Sequence, residues 1–236
     1  MAATGERRIE CKGMSAGYGS MAVVRELDLH VEAGEVVALL GANGAGKTTT
    51  LLTLAGELPP LAGEVWLHGV PTEAPMHTRC RNGMSFLPEE RSVIMGLTTH
   101  DNLRLADVSP SSAVDLFPEL GPLMRRTAGL LSGGEQQMLS LARALGRDPE
   151  VLLADELSLG LAPKVVNRLL ESVRRAADQR GVAVLLVEQH VRRVLKHADR
   201  VYVMERGRVG VAGTVTEVQA QLQDIEAAYL SAPSPT

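Results

Sequence analysis

Aromatic side chains are scarce in this chain, with one Trp, three Tyr and two Phe among 236 residues. Any core must therefore be built from Val, Leu, Ile, Met and Ala, and a hydrophobic fraction of 45% supplies enough of them. Cysteine is nearly absent. Cys11 and Cys80 stand alone, without the spacing of a zinc site or the numbers of a disulfide framework. Neither device is expected to hold the fold, and two ordinary thiols in a reducing compartment fit this usage. An excess of basic residues is also missing. The net charge of −4 removes the electrostatic case for nucleic acid as the main partner. No apolar run approaches the roughly 20 residues needed to cross a bilayer, and residues 1–8 lack the apolar stretch of a secretory signal. Any membrane role must come through a partner.

What is present is organised around Gly41-Ala42-Asn43-Gly44-Ala45-Gly46-Lys47-Thr48-Thr49. The apolar run Val36–Leu40 precedes it, and Leu51, Leu52, Leu54 and Ala55 follow. A strand therefore leads into a tight glycine-rich loop and then into a helix, the context in which G-x-x-x-x-G-K-T binds phosphate. Glycines let the backbone wrap closely around phosphate oxygens. The helix start offers its amides and its dipole to an anion. Lys47 brings a charge to the terminal phosphates, and Thr48 brings a hydroxyl to Mg²⁺.

The remaining periodicities place this loop in an α/β chain. Strands are expected at Ile9–Met14, Val23–Val31, Gly63–Gly69 and Met84–Pro88, with a turn at Ala16–Gly19. Gly56 and Pro59-Pro60 end the phosphate-loop helix. From about Glu89 to Arg147 the pattern turns helical, with segments at Leu97–Leu105, Val114–Leu123 and Glu135–Arg147. Buried-strand runs return at Val151–Ala154 and Val182–Val187, separated by a helix over Val165–Gln179. A short helix at Val191–Ala198, a hairpin around Gly207 and a last helix at Thr216–Leu230 complete the chain. The expected organisation is one domain over residues 9–230. Its core covers 9–88 and 148–230, a helical subdomain of about 89–147 is inserted, and 1–8 and 231–236 are flexible ends.

Three further groups carry chemistry. Asp155 and Glu156 end a buried apolar run, where acidic side chains are costly without a cation or donors. Asp155 suits Mg²⁺ and Glu156 suits activation of an attacking water, the positioning work that phosphoryl transfer demands. A pair of helix-capping carboxylates is the alternative. Ser132-Gly133-Gly134, followed by Glu135-Gln136-Gln137, opens a helix and offers a second anion site. One nucleotide does not need two such sites from one chain, so this loop is expected to close on the nucleotide of a second subunit, with a plain helix cap as the alternative. His190 lies just beyond a strand's carboxyl end, within reach of a terminal phosphate, unless it is a structural histidine.

Together these motifs resemble the ATP-binding subunits of ABC transporters, over almost the whole chain from Ile9 to Leu230. Gly41–Thr48 is similar to Walker A, Val151–Glu156 to Walker B, and Leu131–Gln137 to the family signature. The resemblance implies an α/β P-loop NTPase fold. Its core is a RecA-like mixed sheet, with an antiparallel β portion on the N-terminal side and an inserted α-helical subdomain. It implies that Tyr18 stacks on adenine and that Glu89, where the family usually has Gln, lies near Mg²⁺ and faces the membrane partner. It further implies that Ser158–Leu161 crosses the dimer interface, that His190 is the switch histidine, and that two ATPs are held between two subunits. Phe86–Arg91, Ser158–Pro163, Val187–Gln189 and Ala228–Leu230 are similar to the shorter ATPase of branched-chain amino acid importers and of related urea and amide importers.

That branch implies a second ATPase subunit, different from this one or a second copy. It also implies two membrane permeases, an external solute-binding protein, no nucleic acid, and a place on the cytoplasmic face of the membrane. Leu157 and Leu161 stand where relatives carry Pro and Asp, and His190 where this branch often has Asn. An exporter ATPase and a soluble ABC ATPase are the alternatives. The stretch from Lys47 to Ser132 is too short for the coiled coil that many soluble members insert.

Overall fold

The computed structural model describes residues 5–188 and 191–219. The chain opens with a long hairpin, β1 (Arg7–Tyr18) and β2 (Met21–Glu32), and then runs through β3 (Val36–Gly41) into α1 (Lys47–Ala55). β4 (Ala62–Leu67), β5 (Val70–Pro71), α2 (Met76–Arg81) and β6 (Met84–Leu87) follow. A helical stretch comes next, formed by α3 (Thr99–Leu105), α4 (Pro110–Leu116) and α5 (Gly133–Leu145), with short 3-10 turns between the last two. The chain then alternates through β7 (Val151–Asp155), α6 (Pro163–Arg180), β8 (Ala183–Val187) and α7 (Val191–Val194). It closes with the hairpin β9 (Arg200–Glu205) and β10 (Arg208–Thr214) and with α8 (Val215–Gln219).

Two sheets result. A four-stranded antiparallel sheet has the order β2-β1-β4-β5, and a six-stranded sheet has the order β10-β9-β3-β8-β7-β6. The larger one is parallel except for β10, which pairs with β9 through the turn at Arg206-Gly207. All six residues of β3 are buried because the two faces of the strand feed two cores. Val36, Ala38 and Leu40 point to the core formed with α5 and α6. Val37 and Leu39 point to the core formed with α1 and the antiparallel sheet. Parallel pairing brings the carboxyl ends of β3, β7 and β8 to one edge, with Asp155 opposite Val187 and Val187 opposite Leu39. This is the edge at which open α/β sheets bind ligands.

The structure differs from expectation in three places. β1 runs on to Tyr18 instead of turning at Ala16, because bulges at Cys11–Met14 and Ala16–Gly17 absorb the register and keep Gly17 paired with Ala22. The segment Val114–Leu123 is not one helix. Phe117 leaves the helical region, and Pro118 and Pro122 hold the remainder in a 3-10 turn. Residues 89–98, expected to be helical, form an irregular link, and helix begins at Thr99, capped by Thr98. The last helix is described only as far as Gln219, so the rest of that expectation lies outside the described residues, as do residues 1–4 and 231–236. Both cysteines are unpaired, and burial pushes the Cys11 thiol up to about 12, where it is inert.

Candidate functional site

The loop between β3 and α1 is shaped by its glycines. Gly46, the N-cap of α1, has φ of 105°, and a Cβ there would meet the Val24 side chain at 2.9 Å. A Cβ on Gly41 would meet the Met204 carbonyl oxygen at 2.7 Å. Only glycine gives this path between β2 and β9. The helix that follows has no side-chain cap and no acidic residue in its first turn. Its leading amides have no partner within the helix. Lys47 is 5% exposed, and its Nζ donates to the Gly41 oxygen at 2.7 Å and to the Ala42 oxygen at 3.1 Å. Burial pulls its pKa down, while Glu156, Asp155 and Glu89 pull it back up.

A cavity of about 440 Å³ opens over this loop. It is lined by Asn43, Gly44, Gly46, Lys47, Thr48 and Thr49, by Glu89 and Glu156, and by Val23 and Leu159. Four elements thus supply what the sequence placed far apart. Asp155 sits directly behind, 1% exposed, with its Oδ1 unpartnered. Burial pushes its pKa up; the Thr48 hydroxyl opposes that rise, whereas the charges of Glu156 and Glu89 add to it. Glu156 has a left-handed backbone, φ 47°, fixed by its amide donating to the Val187 oxygen at 3.0 Å. That conformation costs about 1–3 kcal/mol in a residue with a side chain, and such strain collects at working sites.

Among the described residues the charges of Asp155, Glu156 and Glu89 gather around the Lys47 ammonium. Such a cluster of carboxylates beside a polyphosphate favours a dication. The donor set fits Mg²⁺: a buried orphan carboxylate oxygen on Asp155, the exposed Thr48 hydroxyl, and Glu89 at the cavity wall. Among the described residues no group of three or more His, Cys, Asp or Glu could hold a metal unaided. Phosphate and water would therefore complete the shell, as is usual for Mg²⁺.

Ser132-Gly133-Gly134 is not part of this cavity. Ser132 is the exposed N-cap of α5 and forms a capping box, its amide donating to Glu135 Oε2 at 2.7 Å and its Oγ accepting from the Glu135 amide at 3.4 Å. Arg91 lies over Gly133, and its Nη1 donates to Gln136 Oε1 at 3.1 Å. The link that carries Glu89 therefore touches the start of α5. Tyr18 is 51% exposed at the tip of the β1–β2 hairpin and does not line the cavity. His190 lies outside the described residues. Val23 and Leu159 were not singled out as pocket residues in the sequence, because an apolar wall residue has no chemical signature. Their only signal is position, Val23 across from the loop and Leu159 three residues after Glu156.

The ABC transporter family profile matches residues 24–158. The branched-chain amino acid transport protein BraG of Pseudomonas aeruginosa is 39% identical over 206 residues, 83% of this chain and 88% of its own. Probable LivF of Archaeoglobus fulgidus, named for the same transport, is 36% identical over 87% of this chain and 91% of its own. LptB of Escherichia coli K12, named for lipopolysaccharide export, is 33% identical over 94% of this chain and 96% of its own. A solved ATP-binding subunit of an ABC transporter superposes with a TM-score of 0.82 at 26% identity, covering 95% of this chain and all of the other. The chain belongs to the ABC transporter ATP-binding family, and it is an ATPase subunit of a transporter.

Proposed function

We propose that this cavity binds Mg·ATP and that the chain hydrolyses it to drive an importer of branched-chain amino acids or related small polar solutes. The observation that carries the nucleotide reading is the uncapped start of α1, with Lys47 buried under it and Glu156 facing it. In this reading the amides of residues 43, 44 and 46–48 and the Lys47 ammonium hold the phosphates, the Ala45 amide being taken by the Ala42 oxygen at 3.1 Å. Thr48, Asp155 and Glu89 hold Mg²⁺, which when bound neutralises phosphate charge. Glu156 accepts a proton from the attacking water, its carboxylate aimed by the strained backbone at the end of β7. His190, by its place in the sequence, contacts the terminal phosphate, and Tyr18 stacks on the base. Ser132, Gly133 and Gly134 face the nucleotide of a second ATPase subunit.

Import is supported by the relatives named for branched-chain amino acid transport and by the sequence segments shared with that branch. The partners are then a second ATPase, two permeases that hold the chain at the cytoplasmic face, and an external binding protein acting through them. No helix among the described residues is long and apolar enough to cross a membrane, which leaves anchoring to the permeases. The similarity to LptB favours a second reading, export.

Two experiments test the proposal. Glu156→Gln keeps ATP binding and loses turnover by about 10²- to 10⁴-fold, measured by phosphate release; unchanged turnover removes Glu156 from the reaction. Deleting the gene abolishes uptake of labelled leucine or a related solute by cells of the source organism, whereas intact uptake with a lost export phenotype selects the second reading.

A further inference from the structure

β8 ends at Val187, and the next residue, Glu188, is 2% exposed. A buried carboxylate is tolerated only where donors meet it. Two do so from one residue. The Ser158 amide donates to Glu188 Oε1 at 3.1 Å, and the Ser158 hydroxyl donates to Glu188 Oε2 at 2.5 Å. Ser158 is itself 5% exposed, so the pair is shielded from water, where hydrogen bonds to charged groups are strongest.

The place of this clamp gives it meaning. Asp155 pairs with Val187 in the β7–β8 ladder, and the Glu156 amide donates to the Val187 oxygen at 3.0 Å. Past Glu156 the backbone leaves the sheet. The side chain of Glu188 takes over the ladder's role one step further on, holding Ser158 where no strand remains to do so. Segment 156–161 is tight, with Leu159 N–H near the Glu156 oxygen at 3.4 Å, Leu161 N–H on the Ser158 oxygen at 3.2 Å, and Gly160 at φ 68°. It presents both Glu156 and Leu159 to the cavity. Leu157, buried between them, anchors the segment to the helix-side core.

We propose that Glu188 is a positioning residue for hydrolysis: its buried carboxylate clamps Ser158 and so fixes the segment that aims Glu156 and Leu159 into the nucleotide cavity. The proposal rests on the ATPase reading above. Misplacing a reacting group by about 1 Å can cost 10²-fold in rate with little change in binding. The two bonds to Ser158 depend on hydrogen-bond geometry. A carboxamide can replace the carboxylate, accepting from the Ser158 amide through oxygen and donating to the Ser158 hydroxyl through nitrogen.

The test uses the full chain with Glu188→Ala, Glu188→Gln, Ser158→Ala and the double alanine variant. Glu188→Ala lowers kcat by about 10- to 100-fold while KM for ATP moves less than about threefold, and Glu188→Gln restores kcat to within about threefold of wild type. Ser158→Ala gives a smaller loss, because its amide still bonds. The double variant is no worse than Glu188→Ala alone, the non-additivity of a coupled pair. In the nucleotide-free chain, amide exchange over 156–161 speeds up in Glu188→Ala and not in Glu188→Gln. Wild-type kcat in Glu188→Ala, equal losses in the Ala and Gln variants, or unchanged exchange would overturn the clamp. If Glu188→Ala does not fold, Ser158→Ala decides through its own kcat and exchange. The exchange measurement needs no nucleotide, so inactivity of the wild-type chain is read separately. It would overturn the ATPase reading, and the hydrolytic role of Glu188 with it.

Discussion

Two helices in this molecule begin at glycine-rich loops, and they begin in opposite ways. α1 starts at Gly46 in a left-handed conformation, with no side-chain cap and no acid in its first turn. α5 starts at Ser132 with ordinary dihedrals, a complete capping box and Glu135 in its first turn. The first leaves its amides to be satisfied from outside, next to a buried ammonium and a cavity. The second has its Ser132 and Glu135 amides met within the chain, and Ser132 faces solvent. An anion would complete the first helix start and is only an option at the second. This asymmetry is what one subunit of a two-subunit site would show. A residue that binds its own nucleotide needs a ligand to complete it, whereas one that serves a partner's nucleotide must stay folded while the partner is absent.

The largest test of that difference is Lys47→Ala. It removes the only ammonium lining the cavity among the described residues, the charge that faces Glu156, Asp155 and Glu89. ATP affinity of the isolated chain falls by about 100-fold, the loss of one strong charge-assisted contact. Nucleotide titration followed by fluorescence or calorimetry measures it, and affinity within threefold of wild type would remove Lys47 from the phosphate site. Ser132→Arg should act differently. Hydrolysis falls about 100-fold, as when one donor to a developing charge is lost, while ATP binding by the separated chain stays within about threefold. Equal loss of binding would place both helix starts in one site and end the comparison.

Sequence made the first helix start readable and left the second ambiguous, for a physical reason. The run from Val36 to Thr49 fixes strand, loop and helix through local constraints: apolar burial on both faces, glycine dihedrals and the helix periodicity. Ser132-Gly133-Gly134-Glu135 fits both a cap and an anion site, and in the single chain it is a cap. The bulges of β1 were not legible, because pairing register with Ala22 and Met21 is settled by a partner strand rather than by Gly17 itself. The break at Phe117 hides inside an apolar pattern that reads as a continuous helix, even though Pro118 marks it. From burial cost alone Asp155 and Glu156 fit helix caps as well as cation ligands, and it is the phosphate loop in the same chain that favours the second. The contribution of Glu188 was not legible, since its donors on Ser158 are 30 positions away in the chain.

A smaller effect is expected at Asp155, and its sign is opposite to that of most core substitutions. Burial raises the carboxyl pKa, so the folded chain holds that proton more readily than the unfolded one. As pH rises through the raised value, the charge must be kept inside the protein and stability is lost; below the unfolded value the penalty is absent. Asp155→Asn therefore raises the melting temperature of the nucleotide-free chain at neutral pH, and the difference shrinks in acid. The same change removes the Mg²⁺ dependence of nucleotide binding. A variant that melts below wild type at neutral pH would show that the Thr48 hydroxyl and the Lys47 charge together outweigh the burial of the carboxylate.

The smallest effect returns to α5. The Glu135 carboxylate occupies the Ser132 amide at 2.7 Å, a donor that a partner's phosphate would otherwise find free. Glu135→Ala removes half of the capping box and costs about 0.5–1 kcal/mol, a drop of roughly 2 °C in melting temperature. ATP binding by the separated chain is unaffected if, as proposed, α1 and not α5 holds that nucleotide. Hydrolysis stays within about threefold, since the freed amide offsets the looser helix start. A loss of monomer binding in this variant would mean that the self-capped helix start already belongs to the chain's own nucleotide, and that the two helix starts differ in capping without differing in the nucleotide they serve.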